Sequence, residues 1–282
     1  MTPMPIALTR QISPAIAACE LTYMDRAPID PARAAREHAS YEDALRALGA
    51  EVVSLPADPG LPDCAFIEDT ALVIDNVAVI ASMRRPSRAP EIELAARLLA
   101  TQREIARIRP PAYLEGGDAF LVGRTVFVGV SSRTNEAGVE ALRSIAEPLG
   151  HRVVAVPVTG CLHLTTGASF LSEGRVLANP AWIDVEPIRR AGAEVVAVHP
   201  EEPWAANTLR LGGATLMAGG FPRTREIVEG LGIRTKVTPI DEIQKAEAGL
   251  TCMSLIFEGD ADALRAATAD PATPARRSTA RA

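Results

Sequence analysis

Apolar residues recur along this chain in strand-length runs and helix-spaced stripes, and their order repeats. Pro5–Thr9 is a strand-length apolar run, and the stretch from Gln11 to Ile29 after it has no regular period. Asp30 stands at a helix N-cap position with Pro31 at the first helical residue; Tyr41, Ala44, Leu45 and Leu48 then recur at helical spacing up to Gly49. Glu51–Leu55 reads as a strand that Pro56 ends. Helix, strand and proline then return four times. The helices are predicted over 90–100, from Asn135 to Leu149, over 185–191 and over 223–231. The strands after them are Ile105–Ile108, Arg152–Val156, Glu194–Val198 and Thr235–Thr238, closed by Pro110, Pro157, Pro200 and Pro239.

Between each closing proline and the next helix lie two apolar runs joined by a turn. Phe66–Val73 pairs with Ala78–Ala81 through Asp75-Asn76, and Tyr113–Val122 with Val126–Val130 through Gly123-Arg124. His163–Leu171 pairs with Val176–Ala178 through Glu173-Gly174, and Leu209–Leu211 with Thr215–Ala218 through Gly212-Gly213. The unit is strand, strand, helix, strand, and its repeat length of roughly 40–55 residues suits a radial array. The fifth unit begins at Cys252 and has no second strand after it, so Pro5–Thr9 is expected to supply one and close a ring. The expected fold is a five-bladed α/β propeller of ββαβ repeats, one closed catalytic domain over residues 1–258. Residues 259–282, rich in Ala, Arg, Thr and Pro, are expected to form a disordered tail with a helical turn or two within 262–269.

Composition narrows the function. The 282 residues are 48% hydrophobic with a net charge of -6, and no Lys/Arg run occurs before the last few residues, so neither nucleic acid nor an anionic membrane is an expected partner. No apolar window is long enough to span a bilayer, and the first residues lack a signal-peptide pattern. Cys19, Cys64, Cys161 and Cys252 are widely spaced, as reduced thiols in a cytoplasm would be. Cys161 and His163 have no second close pair, so no metal is expected.

A ring would bring equivalent positions of its units to the axis. Those positions carry Glu68-Asp69, Glu115, His163, Asn207 and Cys252. Taken singly, each has an ordinary structural explanation: a core cysteine, a core histidine, a turn acid before Gly116-Gly117. Together they make a chemical site. A thiolate is a nucleophile, a nearby histidine can move protons, and a carboxylate can orient that histidine. The remaining acids match a planar guanidinium, so the combination suggests attack on a guanidinium carbon without a cofactor.

The segments Phe66-Ile67-Glu68-Asp69-Thr70, Leu114-Glu115-Gly116-Gly117-Asp118, Ser132-Arg133-Thr134-Asn135, Leu162-His163-Leu164 and Leu250-Thr251-Cys252-Met253-Ser254 resemble the dimethylarginine dimethylaminohydrolase family. The resemblance runs from about Pro5 to Glu258 and implies hydrolysis of an Nω-methylated arginine to citrulline and a methylamine. It implies Cys252 as nucleophile, His163 as acid and base, and Glu115 as the group that positions His163. It further implies Glu68 and Asp69 at the guanidinium, Asp63 at the α-amino end, Arg88 and Arg133 at the α-carboxylate, and backbone carbonyls of Leu21 and Ala246. The expected partner is a small guanidino substrate, and the protein is expected to be a monomer or homodimer. The lid stretch Gln11–Ile29 matches weakly and Thr165-Thr166 departs from the pattern, so the nitrogen substituent stays open. Alternatives are a deiminase or hydrolase acting on arginine or agmatine, and a catalytically silent protein that binds arginine derivatives.

Overall fold

A computed structural model describes residues 4–269. It contains five three-stranded sheets, each with an antiparallel pair followed by a parallel third strand. Four sheets are contiguous in sequence: Ala71–Ile74, Val77–Ile80 and Glu104–Arg107; Ala119–Val122, Thr125–Val130 and Arg152–Pro157; Ala168–Ser172, Arg175–Ala178 and Glu194–Ala197; Leu209–Leu211, Ala214–Ala218 and Thr235–Thr238. The fifth joins the two extremes of the described chain. Ser254–Glu258 runs antiparallel to Pro5–Arg10, in register from Pro5 with Glu258 to Thr9 with Ser254, and Pro5–Arg10 pairs in parallel with Glu51–Leu55.

Each parallel crossover is made by a helix: Pro31–Ala47, Glu91–Leu99, Glu136–Ala146, Glu186–Arg190 and Pro222–Gly230. Caps fix where two of them begin. The Asp30 carboxylate accepts the N–H groups of Ala32 and Arg33. Asn135 Oδ1 accepts from Gly138 at 2.8 Å and from Tyr113 at 3.0 Å, tying its helix to the preceding unit. Such a cap contributes about 1 kcal/mol. Tyr41, Ala44 and Leu45 face inward from the first helix, as their spacing predicts, and pack with Leu216 and Leu250.

Of the five inner strands, Leu209–Leu211 begins where the hydrophobic pattern predicts and the other four begin later. Each of the five is preceded by a short helical turn: 67–70, 116–118, 164–167, 203–206 and 251–253. Ile67, Leu164 and Met253 in these turns are buried, so an apolar run continues through the turn into the strand and conceals the boundary. The correction matters for function, because the candidate residues sit in or at the edge of these turns. A tight turn aims side chains at the axis, whereas a strand would alternate them.

A second correction concerns the tail. Ala261–Ala269 forms a nine-residue helix, and Ala261, Leu264 and Ala267 pack with Leu98, Leu99 and Val53. The described part of the expected tail is therefore ordered and packed on the ring; the rest, 270–282, lies outside the described residues. Among the described residues no helix is long and apolar enough to cross a membrane.

Candidate active site

The repeated turn before each inner strand puts chemistry at one end of the ring. Glu68 and Asp69 lie in the first turn, Glu115 immediately before the second, His163 before the third and Cys252 in the last. Two glycines allow this convergence. A Cβ on Gly117 would lie 2.6 Å from Asp69 Oδ1 and 2.9 Å from His163 Nδ1, and one on Gly116 would run into the Glu68 carbonyl oxygen. Only hydrogen fits at either place, which explains the Gly116-Gly117 pair after Glu115.

Asp63, Asp69, Arg88, Arg133, His163, Ala246 and Cys252 line one small cleft together with Glu20 and Glu247. His163 Nε2 lies 2.8 Å from Glu115 Oε2, and Nδ1 faces Asp69 Oδ1 at 3.6 Å. Behind the ring, Asp118 accepts the Leu164 N–H at 2.9 Å and the Ser131 hydroxyl at 2.6 Å, which fixes the backbone next to His163. Burial alone would drive the imidazolium to lose its proton. Asp69, Asp118 and Glu115 outweigh burial and hold His163 up to about 9. Burial would raise Glu115, but the hydrogen bond and charge of His163, then Arg133 and Arg88, bring it down to about 2. The pair is an imidazolium held by a carboxylate.

Cys252 takes the Gly249 N–H at 3.3 Å. Burial first, then the charges of Glu68 and Asp69, push its thiol well above the usual range, against the Gly249 N–H and Arg88. It is a neutral thiol at rest. Burial also raises Cys19 and Cys161, to about 11 and about 12, so position in the cleft, not intrinsic acidity, singles out Cys252.

The two arginines are deeply buried rather than solvated. Arg88 binds Asp69 Oδ2 at 2.5 Å and Glu91 Oε2 at 2.8 Å, and donates to the Phe66 carbonyl at 3.2 Å. Arg133 contacts Glu115 Oε2 at 3.3 Å and Thr22 Oγ1 at 3.5 Å, and its Nε has no partner. Asp69, Glu115 and His163 come within 4.8 Å of one another, yet Arg88, Arg133 and the imidazole already supply their counter-charges. That is a self-neutralised ion cluster.

Two expected site members, Asn207 and Glu68, sit away from the cleft. Asn207 stands behind the cleft, where its amide bridges the Thr165 carbonyl and the Thr251 hydroxyl, each at 2.9 Å. Glu68 lines a separate cavity on the axis, not the cleft. Leu21, expected to act through its backbone carbonyl, packs its half-buried side chain against the core.

Sequence reasoning missed Glu247. Its carboxylate accepts the N–H groups of Thr22, at 2.8 Å, and of Tyr23 and Met24, so it holds the 11–29 segment over the cleft. Asp63 supports the same segment through the Glu20 N–H at 3.2 Å. The left-handed backbone of Glu247, φ 56°, was invisible in composition; its place beside Ala246 was the available signal. Glu91, the second partner of Arg88, was also missed, although its i,i+3 spacing offered a hint.

The model of the arginine deiminase family matches residues 56–198. An N(G),N(G)-dimethylarginine dimethylaminohydrolase of Streptomyces coelicolor is 36% identical over 253 residues, covering 88% of this chain and 95% of that protein. The chain belongs to the dimethylarginine dimethylaminohydrolase family. The Pseudomonas aeruginosa dimethylarginine dimethylaminohydrolase is 32% identical, with coverage of 81% of this chain and 90% of that protein. A solved structure of the Pseudomonas enzyme, a cysteine-to-serine mutant complexed with citrulline, aligns with a TM-score of 0.85 at 29% identity over 90% of this chain and 100% of that one. A dimethylarginine dimethylaminohydrolase adduct with S-methyl-L-thiocitrulline aligns equally well, with a TM-score of 0.85 at 28% identity. The fold of this dimethylarginine dimethylaminohydrolase family member is the five-bladed α/β propeller.

Proposed function

We propose that this protein hydrolyses Nω-methylated L-arginine to L-citrulline and a methylamine through a covalent intermediate on Cys252. The observation that carries this reading is the meeting of Cys252, the His163–Glu115 pair and Asp69 in one cleft. The catalytic unit is the closed ring of residues 5–258.

In this reading Asp69, with Glu68 at its back, faces the substrate guanidinium. A unit positive charge about 4 Å from the sulfur, at an effective dielectric near 20, is worth roughly 4 kcal/mol, or about three pK units. The substrate thus lowers the barrier to thiolate formation that the empty site imposes. The thiolate attacks the guanidinium carbon, and His163, protonated up to about 9, gives its proton to the departing amine. Neutral His163 then takes a proton from water, the hydroxide attacks the thiouronium carbon, and the tetrahedral adduct expels the thiolate and loses its hydroxyl proton to solvent as the urea group of citrulline forms. Glu115 holds the imidazole and stabilises each imidazolium stage.

At the other end of the substrate, Arg133 offers its unpartnered Nε to the α-carboxylate and Asp63 faces the α-amine. Arg88 divides its guanidinium between Asp69 and Glu91, so its share of the carboxylate depends on how those pairs rearrange. The cleft encloses about 10 Å³, less than a guanidinium needs, so the segment held by Glu247 and Asp63 must open for entry. Hydrolysis of unsubstituted arginine is the second reading, supported by the arginine deiminase family match. The test is release of the ureido product from asymmetric dimethylarginine, monomethylarginine, arginine and agmatine, which is citrulline from the first three and N-carbamoylputrescine from agmatine. Release from arginine or agmatine in preference to both methylarginines would overturn the assignment.

A further inference from the structure

The axis of the ring holds a cavity of about 310 Å³ that the steps above do not use. Its inner layer is Ala71, Ala119, Ser169, Thr208 and Ser254, all buried. Val73, Leu121, Phe170, Arg210 and Ile256 form an outer layer further along the strands, and all five are half-buried. The cavity therefore opens to solvent at the end away from the catalytic turns. The hydroxyls of its wall, with Thr165 and Thr251 at its base and Arg210 at its mouth, are enough to keep it hydrated.

Glu68 lines this cavity, while its neighbour Asp69 and Cys252 line the cleft. It stands in the partition between the two. Its Oε2 accepts from Thr251 Oγ1 at 2.8 Å and Thr165 Oγ1 at 3.5 Å, and no lysine or arginine among the described residues is paired with it. Asp69 on its own turn, Cys252 and His163 from other units, and Tyr41 from the first helix face it. Burial and then Asp69 raise its carboxyl to about 8, against the pull of Thr251, His163 and Cys252.

Other acceptors for the thiol proton are occupied. His163 already holds a proton, and Glu115 is wedged between His163 and Arg133; Asp69 pairs with Arg88 through Oδ2, and its Oδ1, 3.6 Å from His163 Nδ1, is the oxygen left for the substrate guanidinium. Asp118 takes the Leu164 N–H and the Ser131 hydroxyl behind the imidazole. Glu68 alone faces both the thiol and a solvated route outward.

From this placement we infer that Glu68 removes the thiol proton of Cys252 and hands it to water in the axial cavity. The inference rests on guanidinium binding at Asp69, as proposed above. Docking of the cation first drives the resting proton of Glu68 into axial water. The carboxylate then takes the proton from sulfur: the S–H bond breaks, a carboxyl O–H bond forms, and the electron pair stays on sulfur beside the cation. The same path in reverse returns a proton to the thiolate when citrulline leaves. Proton transfer is thereby separated from the mouth that substrate and amine use.

The test follows thiolate formation by its ultraviolet absorbance after rapid mixing with methylguanidine, and proton release with an indicator dye. Glu68→Gln keeps the hydroxyl contacts but cannot take a proton, and should slow thiolate formation about 100-fold. Glu68→Asp should recover part of the rate. Leu121→Trp, at the half-buried outer layer, should leave thiolate formation fast but delay release of the proton to bulk. With dimethylarginine, Glu68→Gln should lower kcat far more than it raises KM. An equal thiolate rate in Glu68→Gln and the parent, or no thiolate step in the parent, overturns the role of Glu68. Proton release undelayed in Leu121→Trp overturns the axial route. Citrulline release by the parent tests the hydrolase reading separately.

Discussion

Glu247→Ala should free the segment that covers the cleft. In the parent, one carboxylate satisfies the N–H groups of Thr22, Tyr23 and Met24, three consecutive donors with no strand or helix to bond them. A hydrogen bond to a charged group contributes about 1.5–3 kcal/mol. The three share one charge, and freed N–H groups on an exposed segment recover water, so their worth does not sum. One to two bonds' worth, roughly 2–4 kcal/mol, is the expected change, equivalent to about 30- to 900-fold in the opening equilibrium. Asp63, Ser87 and Arg85 still hold Glu20, so the segment should loosen around 22–24 before it detaches at 20. Hydrogen–deuterium exchange resolved at these amides measures the effect directly. Thr22, Tyr23 and Met24 should exchange faster by that factor while Leu8 and Val79, in central strands, are unchanged. Trypsin should also cut sooner after the exposed Arg26, whose guanidinium now holds the Ala17 and Cys19 carbonyls. Unchanged exchange at Thr22–Met24 would refute the latch. A uniform rise everywhere would mean that the substitution only destabilises the fold.

Further outcomes follow from the same geometry. Cys252→Ala should abolish turnover, and alkylation of the parent should mark Cys252 with protection by substrate; protection at Cys161 or Cys64 would contradict the assignment. His163→Gly should lower kcat by about 100-fold or more with little change in substrate binding. Because the His163 proton is held up to about 9, kcat in the parent should fall as pH rises through that value, and a loss centred near 6.5 would show that the carboxylates do not raise it. Arg133→Ala should reduce kcat/KM roughly 10- to 150-fold for dimethylarginine and far less for its decarboxylated analogue. Equal losses would remove Arg133 from the carboxylate site. Arg88→Ala leaves Asp69 and Glu91 buried without their shared cation, so it should cost about 3–5 kcal/mol of stability, read as a fall in the denaturation midpoint.

The repeat was legible because its signals are local. Helix stripes, closing prolines and glycine turns each act within a few residues, and together they specify five copies of one unit. Even closure at Pro5–Thr9 could be anticipated, since the unit at Cys252 lacked a strand. The turns before the inner strands were not legible, because Ile67, Leu164 and Met253 bury their side chains in a helical turn as well as in a strand. Cys252, His163, Glu115 and Asp69 could be assembled from their repeat positions. Asn207 could not be told apart from them, since the difference between facing a cleft and bracing Thr165 and Thr251 lies in three dimensions. Glu247 was hidden for the opposite reason: it serves a segment far away in sequence, 225 residues from it at Thr22. The burial of Arg133 likewise depends on the lid segment reaching it.

The sheet that joins Ser254–Glu258 to Pro5–Arg10 ties reactivity to completion of the fold. Cys252 lies just ahead of the strand that clasps the beginning of the ring, so a chain emerging in order gains its proposed nucleophile only after the four contiguous sheets have been made. Until that clasp forms, the acids and the histidine have nothing to activate. The pairing is also among the most distant in the chain, which makes it slow to find by chance. A permuted chain, opened at an exposed hairpin and linked across the clasp, would turn this late contact into an early one while leaving every site residue in place.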